Sequence, residues 1–136
     1  MRWTMSVKVT RIDGGKFKAE ADGFEVLSGR VDEKSEPVGM SPGRLMAVSL
    51  GLCSAFHVAA YLRQRKIDAV GLSLGVEVKN EVNPSRASEF KITINVGAEL
   101  NGKQLEGLME EVGRCYVGNT MRNAPSISYE VRAEPS

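Results

Sequence analysis

The chain has 136 residues, 26% of them charged and 42% hydrophobic, and its 18 basic and 17 acidic side chains leave a formal net charge of +1. That length suits one domain, residues 1–136, whose core can do without disulfides or metals. A balanced charge gives no electrostatic footprint for nucleic acid or an anionic membrane, so neither is expected as a partner.

Met1 to Thr10 lacks the apolar stretch of a secretory signal, and a cytoplasmic location is the expectation. Met5, Val7 and Val9 alternate with polar residues, Asp13-Gly14-Gly15 turns the chain into Phe17, Ala19 and Ala21, and Asp22-Gly23 turns it again into Phe24 to Leu27. Period two with such turns predicts an antiparallel meander. Val31 to Met40 reads as a loop.

Ser41 can cap a helix and Pro42 suits its first position, so a helix is predicted over 42–66, with Arg63, Arg65 and Lys66 at its negative end. Its uncharged run, Leu45 to Leu62, lies at the lower edge of what spans a bilayer. Ser49, Gly51, Cys53, Ser54 and His57 interrupt the run, arginines bound it, and the rest of the chain is amphipathic, which favours the central helix of a globular core. A helix of this span is roughly 37 Å long, against a radius of gyration of about 14 Å for a domain of this size. One curved sheet covers only part of its circumference, and a second subunit is expected to cover the rest.

From Val70, the residues Leu72, Leu74, Val76 and Val78 alternate with polar positions, and after Asn83-Pro84-Ser85 so do Phe90, Ile92, Ile94, Val96 and Ala98. These predict a second antiparallel hairpin. A second helix follows Asn101-Gly102, with Leu105, Leu108, Met109 and Val112 on one face, Glu106, Glu110 and Glu111 outside, and Gly113 ending it before Cys115. Val117 to Met121 reads as a further short turn of helix, at whose N-terminus Cys115 would gain thiolate character. Ile127, Tyr129 and Val131 predict a last strand. The fold class is therefore α+β, a mostly antiparallel curved sheet packed on a long apolar helix and a second helical segment.

Cys53 and the single histidine, His57, share a face of the central helix with Met46, Ser49, Leu50 and Ala60. A protonated imidazole beside a thiol favours the thiolate, whereas apolar burial opposes it. Both residues also suit a plain core role. Two cysteines without CxxC spacing and with one histidine give no zinc site, so no metal is expected.

The stretch Ser41-Pro42-x-x-Leu45-x-Ala47-x-x-x-Gly51-x-Cys53, in a long apolar helix after an antiparallel meander, resembles the OsmC/Ohr family. Cys115, which follows a hairpin and a helix and precedes a strand-like segment, extends the similarity over nearly the whole chain. The resemblance implies an intertwined homodimer and a cysteine peroxidase that reduces organic hydroperoxides without a cofactor. Cys53 would be oxidised to a sulfenic acid, Cys115 would resolve it to a disulfide, and a dithiol reductant would restore both. Family members carry a glutamate soon after the helix-opening proline and an activating arginine from the N-terminal region. Here Gly43 and Arg44 follow Pro42. Candidate activators of the thiolate are therefore His57, Arg30, Arg11, Arg44 and Arg114. The other function class is a non-catalytic dimer that keeps the fold and an apolar interface pocket for a ligand.

Overall fold

The computed structural model describes residues 3–135, and its contacts divide the chain into two units, Met1–Val48 and Ser49–Ser136. The first holds three strands in sequential antiparallel order, β1 (Lys8–Asp13), β2 (Gly15–Ala21) and β3 (Phe24–Arg30). The β2–β3 turn works because Asp22 and Gly23 both have positive φ, 52° and 83°, the geometry whose twist matches a two-residue hairpin. Met5 and Val7 precede β1 and are exposed, so that strand starts later than the alternation predicts. The loop after β3 folds back on it, with the Val38 N–H donating to the Gly29 carbonyl at 2.9 Å and the Ser28 hydroxyl to the Met40 carbonyl at 2.8 Å.

Helix α1 (Pro42–Gln64) opens in the first unit and continues into the second. Ser41 caps it, its hydroxyl accepting from the Arg44 N–H at 3.3 Å. It closes in a Schellman motif: Lys66 takes a left-handed conformation with φ 55°, its N–H bonds the Arg63 carbonyl, and the Ile67 N–H bonds the Leu62 carbonyl. That turn seats Ile67 against the core beside Leu62.

In the second unit β4 (Ser73–Glu81) and β5 (Arg86–Asn95) pair antiparallel, Leu74 opposite Ile94 and Val76 opposite Ile92. β4 starts later than the alternation predicts because Val70 and Gly71 are spent on a turn, and β5 begins and ends a few residues before its predicted limits. α2 (Gly102–Val112) begins with a full capping box, Asn101 and Gln104 each bonding the other's backbone N–H, and α3 (Tyr116–Arg122) follows with Cys115 as its N-cap. Val58, Tyr61 and Leu62 of α1 bury against Leu108 of α2, with Leu72, Ile94, Val96 and Val112 packed around them. By length and composition α1 could cross a membrane, and its Val58, Tyr61 and Leu62 belong to the buried core cluster.

The architecture is α+β with every strand pairing antiparallel, and three expectations are corrected. The strands form two sheets rather than one, since β1–β3 hydrogen-bond only among themselves and β4 only with β5. The described residues 124–135 contain no strand. Ile127, Tyr129 and Val131 keep their alternation but stand exposed, because a strand exists only where a neighbour completes its ladder. Finally, α2 is turned relative to its predicted face: Leu108 is buried, Leu105 and Met109 are exposed, and Glu111 points inward.

Candidate active site

The middle of α1 alternates burial along its length. Ser54, Val58 and Tyr61 are buried, Cys53 and His57 are half-buried, and Leu52 and Phe56 are 52% and 70% exposed. Cys53 therefore sits on the border between the core stripe and an apolar outer face. Leu50, on the same predicted face as Cys53, is buried.

Cys115 comes to the same place from the α2–α3 junction. It is only 1% exposed, both cysteines are free thiols, and the Cys53 and Cys115 side chains are in hydrogen-bonding contact. The Cys115 sulfur also accepts from the Gly118 N–H at 3.4 Å, from the Val117 N–H and from the hydroxyl of Ser54. Burial pushes the Cys115 thiol up, but the Cys53 thiol, the two backbone N–H groups and Ser54 together outweigh it, and the net shift is downward. The Cys115 thiol is thus held below its ordinary value in a water-poor setting. Ser54, a polar break in the apolar run of α1, is one of the groups that make it so.

One turn beyond Cys53, His57 meets the inward Glu111, with Nδ1 2.7 Å from Oε2. The His57 and Glu111 side chains are 29% and 18% exposed. Arg114 reaches the other carboxylate oxygen at 3.4 Å. Glu111 is held below the ordinary carboxylate range, first by the His57 hydrogen bond and also by the charges of Arg114, His57 and Arg65, with burial opposing. Arg65 stacks over the Tyr61 ring at 3.7 Å, and the Tyr61 hydroxyl donates to the Gln104 carbonyl at 2.8 Å. Gly107 makes that approach possible, since a Cβ there would fall on the Tyr61 ring and hydroxyl. α1 and α2 are therefore tied at two levels, by Tyr61 at Gln104 and Gly107 and by His57 at Glu111.

Of the candidate activators, the structure brings His57 together with Arg114 through Glu111. The other arginines have partners within the first unit. Arg11 lies over the Phe17 ring at 5.9 Å, and Arg30 donates to the Glu33 carbonyl at 3.3 Å. Arg44 stands in the first turn of α1 and shares with Arg30 the lining of an open cavity that also includes Ser28, Gly39 and Met40. Among the described residues no group of three or more His, Cys, Asp or Glu side chains is disposed to hold a metal ion.

Residues 32–130 match the protein family described as OsmC-like protein. No curated protein sequence matches the chain. Solved structures resemble it over most of both chains. One is a protein of Psychrobacter arcticus provisionally assigned to the osmotic-stress and detoxification response, 24% identical over 88% of this chain and 90% of that one, with a TM-score of 0.74. Another is an OsmC-like protein of Mycoplasma pneumoniae, 15% identical over 91% of each chain, with a TM-score of 0.73. A third is an organic hydroperoxide resistance protein of Elizabethkingia anophelis, 16% identical over 91% of each, with a TM-score of 0.65. Identities this low speak to the fold.

Proposed function

The chain belongs to the family of OsmC-like proteins, and from that premise we propose that it is a cysteine-based peroxidase acting on organic hydroperoxides. The observation that carries this reading is the contact between Cys53 and Cys115, two thiols far apart in sequence, one half-buried beside an apolar surface and the other buried with its thiol lowered from the ordinary value. In the first half-reaction the Cys53 thiolate attacks the terminal peroxide oxygen, the O–O bond breaks, and the alkoxide leaves as the alcohol after taking a proton. Cys53 is now a sulfenic acid. The Cys115 thiolate attacks its sulfur, the S–O bond breaks, and the hydroxide leaves as water once protonated. Two electrons have passed from the thiol pair to the peroxide. An external dithiol returns them by thiol–disulfide exchange.

Access supports giving the first role to Cys53, since Cys115 is enclosed. The exposed Leu52 and Phe56 on either side of Cys53 in sequence suit an alkyl or aryl hydroperoxide better than hydrogen peroxide. The same residues, with the unpaired alternation of Ile127, Tyr129 and Val131, support a homodimer in which a second copy covers the outer face of α1. A monomer by sedimentation at all concentrations would defeat the dimer.

The peroxidase is tested by following cumene hydroperoxide consumption with a dithiol reductant for the wild type, Cys53→Ser and Cys115→Ser. The reading predicts turnover in the wild type, none above background in Cys53→Ser, and arrest after one equivalent in Cys115→Ser. Consumption unaffected by Cys53→Ser would refute it. Gly43 and Arg44, where family members carry a glutamate, favour the second reading, a dimer that binds an apolar ligand without chemistry. No consumption by any of the three proteins is the result that second reading predicts.

A further inference from the structure

We propose that Glu111 is a positioning residue that orients His57 as the proton acceptor of Cys53, so that Cys53, His57 and Glu111 act as one relay. The inference rests on the reading of Cys53 as the attacking thiol.

Three features of the structure lead to it. First, His57 lies one turn C-terminal to Cys53 on the same helix. Side chains at that spacing have Cβ atoms about 5–6 Å apart, and a helical side chain leans toward the N-terminus, the direction of the turn that carries Cys53. Second, an ionised carboxylate only accepts hydrogen bonds, so the 2.7 Å contact places the hydrogen of neutral His57 on Nδ1 and leaves Nε2 as the basic nitrogen. Third, the setting of α2 turns Glu111 to the interior beside His57. Leu108 and Val112 of α2 already face the core, and a carboxylate turned to the interior loses hydration that only a charged partner restores.

The groups facing this pair support the same roles. Arg114 holds the second oxygen of Glu111, and Arg65 adds a positive charge from beyond the end of α1. Both keep the carboxylate ionised. Cys115, in contact with Cys53, forms the resolving half of the site with Ser54 and the Val117 and Gly118 N–H groups. The arrangement has the logic of an activated nucleophile, with a thiol, a base within one helical turn and a third group that orients the base.

The proton inventory closes. The Cys53 proton passes to His57 Nε2 as the thiolate forms, and Glu111 offsets the charge of the imidazolium. The thiolate attacks the terminal oxygen of ROOH, and the departing alkoxide takes the proton back from Nε2. One thiol and one hydroperoxide become one sulfenic acid and one alcohol, and His57 is neutral again. Such a relay also supplies what Gly43 and Arg44 do not, a carboxylate acting on the reactive thiol.

The test reads thiol reactivity without any peroxide. Reduced wild type, Glu111→Gln, Glu111→Asp and His57→Gln are alkylated with iodoacetamide between pH 5 and pH 10, and peptide mapping separates the rate at Cys53 from that at Cys115. The relay predicts that Cys53 in Glu111→Gln and His57→Gln reacts about tenfold more slowly than wild type near neutral pH, that the curves converge in alkali, and that Glu111→Asp recovers much of the rate. Reading two variants keeps the result independent of the folding of either. A wild-type profile in both, or a loss by the same factor at every pH, would overturn the relay, because a merely structural pair alters access and not the pH dependence. A protein with the predicted profile that consumes no hydroperoxide would instead sink the peroxidase reading alone.

Discussion

Replacing Gly107 by alanine separates helix propensity from helix packing. In an exposed helix interior the change stabilises by about 1 kcal/mol. Here the new Cβ would come 3.0 Å from Cε2 and 3.1 Å from Cζ of Tyr61, and closer still to its hydroxyl. Tyr61 cannot easily yield, since its ring is buried, lies beneath Arg65 and is pinned through the hydroxyl to the Gln104 carbonyl. Overpacking of this kind costs about 1–3 kcal/mol, and the loss of the hydroxyl bond adds roughly 1 kcal/mol. The expected net effect is a destabilisation of about 1–3 kcal/mol, read from the midpoint of a urea titration followed by circular dichroism. Because α2 leads directly to Cys115, the variant should also form the Cys53–Cys115 disulfide more slowly than wild type. Tyr61→Phe removes the atom nearest the intruding methyl, so Gly107→Ala combined with Tyr61→Phe should be less unstable than the sum of the single changes. A Gly107→Ala protein as stable as wild type, or more so, would show that α1 and α2 do not meet as described.

Two further outcomes follow from the site. Ser54→Ala removes one donor to the Cys115 sulfur, which should raise the Cys115 thiol toward its ordinary value and slow disulfide closure, seen as more Cys53 sulfenic acid captured by a dimedone trap after one equivalent of hydroperoxide; unchanged capture would refute the role of Ser54. Glu111 titrates below its ordinary 4.5 in the folded chain, so its pairing contributes stability that is present above that value and is lost as the pH falls through the lower folded value. Wild type should accordingly lose more stability than Glu111→Gln on acidification below about pH 4.5, and parallel acid curves would contradict the pairing.

Local chemistry made much of this molecule readable from its residues. The Asp22-Gly23 hairpin, the Ser41-Pro42 start of α1 and the alternation of β4 and β5 are short-range signals that nothing distant overrides. The two cysteines were singled out by their surroundings, and their contact is a long-range fact that the family pattern foreshadowed. What the residues did not announce depends on rotation and partners. Glu111 follows Glu110 and reads as solvent-facing; it turns inward because α2 is set by the approach of Tyr61 to Gly107, a tertiary contact with no periodic trace. A glycine in mid-helix and a lone histidine needing a partner were the available hints. Ser54 looked like an interruption in an apolar run, because the acceptor it serves, the Cys115 sulfur, comes from the α2–α3 junction. For Ile127 to Val131 the alternation was real, but the chain supplies no neighbouring strand among its described residues.

The most direct test of the thiol-pair mechanism is the product of one turnover. Fully reduced protein is treated with one equivalent of cumene hydroperoxide and no reductant, quenched with an alkylating agent, digested without reduction and analysed by mass spectrometry. The mechanism predicts that the peptides carrying Cys53 and Cys115 become joined with the loss of two hydrogens, and that one cumyl alcohol appears for each disulfide. Intact hydroperoxide beside two alkylatable thiols, or a disulfide that joins either cysteine to any other, would contradict it.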